Sequence, residues 1–320
     1  MTIPPPSVPL KYIFIMVAAV CMILAITSCG QTTSSNTADD WVKAGENYIY
    51  GENGKTINYE IAFNYFQKAA DKNNSTAQYF LGVMFRDGIG CQSNSEEAVK
   101  WFKKAATQGF PEAQYNLGVM YRDGFGDTKD PEEAVEWFKK AANHGVVEAQ
   151  YNLGVMYRDG FNETINYHEA IEWFRKAANQ GDVDAQINLG KMLLEFFPQS
   201  KYQEAFSSFT KAAEQGNIGA QHYVGYLNYL DGNYEEAMEW LLKAAKKGYA
   251  KAQSQIGFMY LYGKGVEQSD LQAYMWFIIA SYENELVRLV ESHLPKADIE
   301  KAKRMAKIWT QQNLESNDTP

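Results

Sequence analysis

Histidine is scarce among the side chains that could carry chemistry: the chain has His144, His168, His222 and His293. No two of them stand at metal-ligand spacing on one helix face, so no metal site is expected. A hydroxyl nucleophile is spelled at Ser208-Phe209-Thr210-Lys211, where a lysine one helical turn after a serine could activate it for acyl transfer. The partner strings that this chemistry uses, S-D-N and K-T-G, do not occur. Three Gly-x-Gly turns, Gly88-Ile89-Gly90, Gly124-Phe125-Gly126 and Gly263-Lys264-Gly265, could cradle a phosphate. Each follows a helical pattern, whereas a dinucleotide loop follows a strand and opens a helix. We therefore assign no catalytic residue, no metal and no cofactor. Nucleic acid is also excluded, because 30 basic residues are interleaved with 39 acidic ones for a net charge of −9, and phosphate contacts need clustered Lys and Arg.

One cysteine has a clearer chemical context. Tyr12 to Ser28 is 17 residues without a charge, with Lys11 the only charge before it. Such a stretch is an export signal or a short anchor, below the roughly 20 residues that span a bilayer. Ile26-Thr27-Ser28-Cys29 resembles a bacterial lipobox, which implies lipid attachment at the Cys29 sulfur and cleavage before it. An uncleaved signal anchor and an ordinary secretory signal are the alternatives. By the same resemblance Gly30 is not the Asp that retains enteric lipoproteins in the inner membrane, so an outer-membrane lipoprotein facing the periplasm is expected. The mature chain would hold 29 basic and 39 acidic residues, net −10, with Cys91 its only other thiol.

The remainder is organised by a repeat. Lys-Ala-Ala recurs from Lys68, Lys104, Lys140, Lys176, Lys211 and Lys243, and Ala-Gln follows nine residues after each of these lysines, from Ala77 to Ala252. An aliphatic-Gly pair follows in turn, including Leu117-Gly118 and Leu153-Gly154. With 46% apolar residues and a mean hydropathy of −0.42, 320 residues are neither disordered nor polytopic. Each period holds two helical patterns. Ala134, Trp137, Phe138 and Ala141 make one apolar face, Asp130 caps a helix with Pro131 at its first position, and Gly145 ends it. Glu136–Lys140, Glu172–Lys176 and Glu239–Lys243 are spaced as i,i+4 ion pairs. A glycine inside a helix costs about 1 kcal/mol relative to alanine, so the recurring glycine implies close approach of a neighbouring helix. Gly124 fits a left-handed helix terminus.

These motifs, with Tyr, Gly-x-Gly and Ala-x-x-Trp-Phe at a period of 36, resemble the Sel-one-like repeat, a branch of the tetratricopeptide-repeat superfamily. The resemblance implies an all-α fold: a right-handed superhelical solenoid of stacked antiparallel helix pairs, closed by a C-terminal helical cap. The expected organisation is a signal peptide at 1–28, a flexible tether at 29–39, seven helix pairs at 40–282, capping helices at 283–314 and an unstructured tail at 315–320. Lys296 to Lys307 carries five basic and two acidic residues, a solvated face or a contact for an acidic partner or lipid headgroups. A cysteine-rich branch of the family is linked to beta-lactam hydrolysis, but its paired cysteines are absent here.

A helical wheel centred on Leu117 places Tyr115, Val119, Arg122 and Asp123 away from the core, with Asn116 at the margin. The set recurs as Tyr151, Asn152, Val155, Arg158, in part as Tyr79, Val83, Arg86, and changes to Ile187, Asn188 and then Tyr223, Tyr226. If first helices line a concave groove, this ladder is a candidate protein-binding surface, since exposed Tyr and Arg dominate many interfaces. Alternatively the similarity is recent duplication, and some of these side chains pack against the neighbouring helix. The resemblance implies a monomeric, non-enzymatic, lipid-anchored adaptor for a protein partner such as an envelope regulator. It also implies a narrower possibility: an immunity protein neutralising a secreted antibacterial phospholipase of a type VI secretion system.

Overall fold

The computed structural model describes residues 37–127, 129–161, 165–282 and 284–313, and these contain sixteen α-helices and no extended strand. Cys29, the leader, most of the tether and the tail lie outside the described residues. The helices run in pairs: α1 (Ala38–Tyr50) with α2 (Tyr59–Ala70), α3 (Ser75–Asp87) with α4 (Ser95–Thr107), and α5 (Pro111–Asp123) with α6 (Pro131–Asn143). Then follow α7 (Val147–Asp159) with α8 (Tyr167–Asn179), α9 (Val183–Phe196) with α10 (Tyr202–Glu214), α11 (Ile218–Leu230) with α12 (Tyr234–Ala245), and α13 (Ala250–Tyr262) with α14 (Asp270–Ile279). Two last helices, α15 (Glu285–His293) and α16 (Lys296–Asn313), pack on α14 and form the cap. The all-α solenoid inferred from the repeat is the fold of this chain.

Local sequence sets each pair. The second helices begin at Asn58, Asn94, Asp130, Asn166 and Ser269, whose side chains accept from the backbone N–H three residues on at 3.0–3.3 Å. The backbone N–H of Asn94, Asp130, Asn166 and Ser269 donates in turn to the carbonyl nine residues back, on Phe85, Tyr121, Tyr157 and Tyr260. A loop of variable sequence is thereby closed at one fixed point. Gly124 takes φ +80° and Gly145 φ +88°, the left-handed termini expected of them.

The recurring glycine meets an aromatic ring. A Cβ built on Gly118 would stand 2.7 Å from Cδ1 of Phe138, and Gly82, Gly154, Gly190 and Gly257 face Phe102, Phe174, Phe209 and Phe277 in the same way. These phenylalanines are 0% exposed. They fill the space that the missing side chain leaves, so the close approach is between the two helices of one unit. The second glycine of Gly88-Ile89-Gly90 serves the stack: its absent Cβ would lie 2.3 Å from the Tyr59 carbonyl oxygen, in the first turn of the preceding unit's second helix. These turns brace neighbouring units.

Glutamine of the Ala-Gln motif is the other brace. Nε2 of Gln114, Gln150, Gln186, Gln221 and Gln253 donates at 3.0–3.2 Å to the carbonyl eight residues back, the last alanine of the preceding Lys-Ala-Ala. Its Oε1 accepts from a glutamine just after the second helix of its own unit where one is present, as Gln180 to Gln150 at 2.8 Å and Gln215 to Gln186 at 3.0 Å. His144 and Lys247 occupy that place opposite Gln114 and Gln221, and the Oε1 atoms of these two are buried without a protein partner. A buried acceptor left unpaired costs about 1–3 kcal/mol before water compensates. His144→Gln is expected to raise stability by about 0.5–1.5 kcal/mol through a new amide bond; an unchanged or lower urea midpoint would refute the role assigned to the brace.

The ion pairing differs from the i,i+4 expectation. Lys140, Lys176 and Lys243 lie over the rings of Trp137, Trp173 and Trp240, each 3.6 Å from the centroid. Glu136 instead pairs with Lys139 at 3.0 Å, and Glu172 with Arg175. A lysine one turn beyond a tryptophan gains a cation–π contact on a ring that is otherwise largely buried, as Trp137 and Trp173 are, and this outweighs a fully solvated ion pair.

Candidate functional site

Consecutive first helices touch, as α3 with α5, α7 with α9 and α11 with α13, whereas the second helices do not pack on one another to the same degree. The stack is closer along its first helices, which together form one continuous face. Five positions around each central glycine are expected on that face, and their chemistry divides the array in two.

In the N-terminal half the face is spoken for. Arg86 Nη1 donates to Asn116 Oδ1, Arg122 Nη1 to Asn152 Oδ1, and Arg158 Nη1 to Asn188 Oδ1, at 2.5–2.7 Å and always thirty residues apart. Nε and Nη2 of each arginine donate to the neighbouring Asp87, Asp123 or Asp159 at 2.6–3.0 Å. Nδ2 of each asparagine donates at 2.8 Å to the backbone carbonyl of Glu112, Glu148 or Asp184. The Asp123 carboxylate, bonded to the guanidinium, holds Arg122 above its ordinary pKa. These groups staple unit to unit and neutralise each other's charge.

The ladder read from a single helical wheel is corrected accordingly. Tyr79 and Val83 are 3% and 2% exposed, in the core beside Phe80, Phe102 and Phe110, and burial pushes the Tyr79 hydroxyl well above the usual range. Asn116 is buried also. Tyr115, Val119, Tyr151, Val155 and Ile187 are half-buried against the core, with Tyr115 on Phe138 and Tyr151 on Phe174. The wheel fails because it omits two neighbours: the second helix of the same unit, whose Phe102, Phe138 and Phe174 lie against Tyr79, Tyr115 and Tyr151, and the next first helix, whose asparagines hold Arg86, Arg122 and Arg158.

Toward the C-terminus the same positions become aromatic and lose the staple. His222, Tyr223, Tyr226 and Tyr229 on α11 replace the Tyr, Asn, Val and Arg of earlier units, followed by Leu230. On α13, Phe258 and Tyr262 stand where Val and Asp stood. Tyr226, Leu230 and Tyr262 are 39%, 58% and 55% exposed. The rings rest on partners: Tyr226 stacks on His222 at 6.3 Å, Tyr262 on Phe258 at 6.3 Å, Phe258 edge-on to Tyr282 at 5.8 Å, and Tyr223 on Phe209 at 4.5 Å. Burial, and secondarily Lys251, pushes His222 down to about 4, so the imidazole is neutral at physiological pH; its Nδ1 is buried without a protein partner. Lys191 Nζ lies 5.8 Å from the Tyr223 centroid. These residues occupy corresponding positions on two consecutive first helices and form an aromatic shelf with Lys191 and Lys251 as basic neighbours. Leu230, Phe258 and Tyr262 were absent from the ladder read by sequence, although aligning the units shows their departure from the Val and Asp of the repeat.

The other candidate chemistry dissolves on contact with the geometry. Ser208 is buried and its hydroxyl donates to the Glu204 carbonyl at 2.8 Å, while Lys211 is exposed. Among the described residues there is no cluster of three or more His, Cys, Asp or Glu able to hold a metal ion, and no helix long and apolar enough to cross a membrane.

Seven consecutive segments, 42–74, 75–110, 111–146, 147–182, 183–217, 218–249 and 250–284, match the Sel1 repeat. A 44-residue stretch is 50% identical to the DAP3-binding cell death enhancer 1 of Rattus norvegicus, covering 14% of this chain and 9% of that protein. The crystal structure of c5321, a protective antigen of uropathogenic Escherichia coli with an SLR fold, superposes with a TM-score of 0.64 at 30% identity, over 88% of this chain and 62% of that one. A Sel1 repeat protein from Oxalobacter formigenes superposes with a TM-score of 0.55 at 29% identity, over 77% of this chain and 98% of the other. Proteins built of these repeats mediate protein–protein interaction. By its seven-fold motif, its helix pairs and these likenesses, the chain belongs to the Sel1 repeat family.

Proposed function

We propose that this protein is a monomeric, non-enzymatic scaffold of a bacterial envelope, tethered through a lipid on Cys29 to the periplasmic face of the outer membrane, and that it binds one protein partner along its first-helix face. The observation that carries the reading is the exposed shelf of Tyr226, Leu230 and Tyr262, at positions whose counterparts in units two to four are satisfied within the protein. Tyrosine supplies large, rigid contact area at small entropic cost, and exposed aromatic groups of this kind mark interaction surfaces. A face that is neutral and polar in one half and aromatic in the other suits one extended partner better than many short ones. Neutralisation of a secreted phospholipase is a narrower form of the same reading, distinguished by loss of lipase activity in an equimolar mixture.

Photo-crosslinking residues introduced at Tyr226 and, separately, at Lys139 on the second-helix face test the proposal in the native envelope. A discrete adduct from position 226 alone supports the first-helix face, and an adduct from position 139 alone moves the site to the second-helix one. The tether is checked by Cys29→Ala, expected to shift the protein from the membrane fraction to the soluble fraction or to stop its processing. Retention in membranes at the wild-type level would assign the leader as an uncleaved signal anchor.

A further inference from the structure

We propose that the C-terminal cap is a second binding surface, taking an acidic segment of a partner protein that carries one apolar anchor residue. Helix α16 buries Ala302 and Ala306, and its opposite side carries Lys296, Lys301, Lys303, Arg304 and Lys307, all exposed. At 100° per residue these five cations fan over roughly 160° of the helix. Against Asp298 and Glu300 they leave a net +3 in a chain of net −9. Lys303 pairs with Glu300 at 3.2 Å, and the other four have no ion-pair partner among the described residues. Such an unneutralised set contrasts with Arg86, Arg122 and Arg158, each held by its own aspartate.

Beside the cations, between α14 and α16, lies an open cleft of about 290 Å³ lined by Gln272, Met275, Met305, Ile308, Trp309 and Gln312. It has room for a single large apolar side chain. Methionine adapts to varied shapes, and the two glutamines offer amide donors and acceptors to an extended backbone. Ile308, 53% exposed, stands at the rim, and Trp309 is fixed edge-on to Trp276 at 4.8 Å. Charge complementarity selects an acidic occupant: the acidic body repels such a segment elsewhere, and the basic fan draws it to the cap. Of the apolar side chains lining the cleft only Ile308 is exposed, whereas Met275 is 5% exposed; one projecting side chain is too little to insert into a bilayer, which favours a protein segment.

The test uses the full purified chain and a short fluorescein-labelled peptide of aspartate and glutamate with one central leucine, followed by anisotropy. Binding is expected to weaken with rising salt, to fall about tenfold when the peptide leucine becomes serine, and to fall at least about tenfold in Lys301→Glu/Arg304→Glu/Lys307→Glu. The peptide change leaves the protein untouched, so its result does not depend on how the variant folds. Tyr226→Ala/Tyr262→Ala should leave peptide affinity unchanged, which separates this surface from the first-helix face. Absence of binding, equal binding by the triple variant, or indifference to the leucine would overturn the proposal. So would capture of phosphatidylglycerol vesicles by the wild type without capture of the peptide, which would make the cap a membrane contact.

Discussion

Gly118→Val should lower the unfolding free energy by about 1–3 kcal/mol, and Phe138→Ala by about 3–5 kcal/mol, because both act on one contact from opposite sides. The valine Cβ would begin 2.7 Å from the Phe138 ring, closer than side-chain carbon atoms approach, and its two methyl groups would extend further into the same space. Phe138 is fully buried and cannot swing out, so the two helices must separate or the ring must leave its rotamer. Phe138→Ala opens the opposite defect, a cavity where the ring had been. The two should be strongly coupled: in the double variant the valine partly fills the hole, and the total cost should fall short of the sum by at least about 1 kcal/mol. Urea unfolding of the four proteins decides this. Additive costs, or an unchanged midpoint for Gly118→Val, would show that the pair does not set the spacing within the unit. In a linear array a defect in the third pair also lowers the coupling to its neighbours, so broadened transitions in the variants are part of the expectation.

That contact also marks how far the sequence could be followed. The period, the helix pair, Asp130 and Pro131 at a helix start and the need for close approach at Gly118 are all local or recurrent signals, and one chain suffices to read them. What faces the glycine was not legible, because Phe138 lies twenty residues on and only the pair geometry joins them. The first-helix ladder failed for a related reason. Arg122 and Asn152 are thirty residues apart, and a helical wheel treats each first helix as though it stood alone, so groups that staple units together looked like groups left for a partner. Tyr79 and Val83 were misjudged by the same omission. The glutamine of each Ala-Gln was visible as a repeat, but its bond to the carbonyl eight residues back depends on how the chain turns between units. The shelf on α11 and α13 could have been found by asking where the repeat's polar positions turn aromatic. At Tyr226, Leu230 and Tyr262 the repeat rule is broken without a gain in burial, and this is the pattern expected of residues kept for binding.

Tyr226→Ala combined with Tyr262→Ala should therefore weaken the partner complex by at least ~100-fold while changing stability little, since truncating a central aromatic anchor commonly costs about 2 kcal/mol or more. Both side chains are substantially exposed, at 39% and 55%, so their removal leaves no core cavity. Arg122→Ala with Arg158→Ala makes the contrast. Those arginines bridge Asp123 to Asn152 and Asp159 to Asn188, and their loss strands hydrogen-bonding groups between units, so the array should lose roughly 1–3 kcal/mol of stability. Partner affinity, measured by calorimetry at a temperature where both variants remain folded, should change far less for the arginine pair than for the tyrosine pair. The reverse order would return the binding site to units two to four and leave the aromatic shelf without a binding role. The distinction is thermodynamic: a side chain already bonded on three sides must break those bonds before it can serve a partner, whereas an aromatic ring held from behind by Phe258 or His222 is preorganised and loses little on contact.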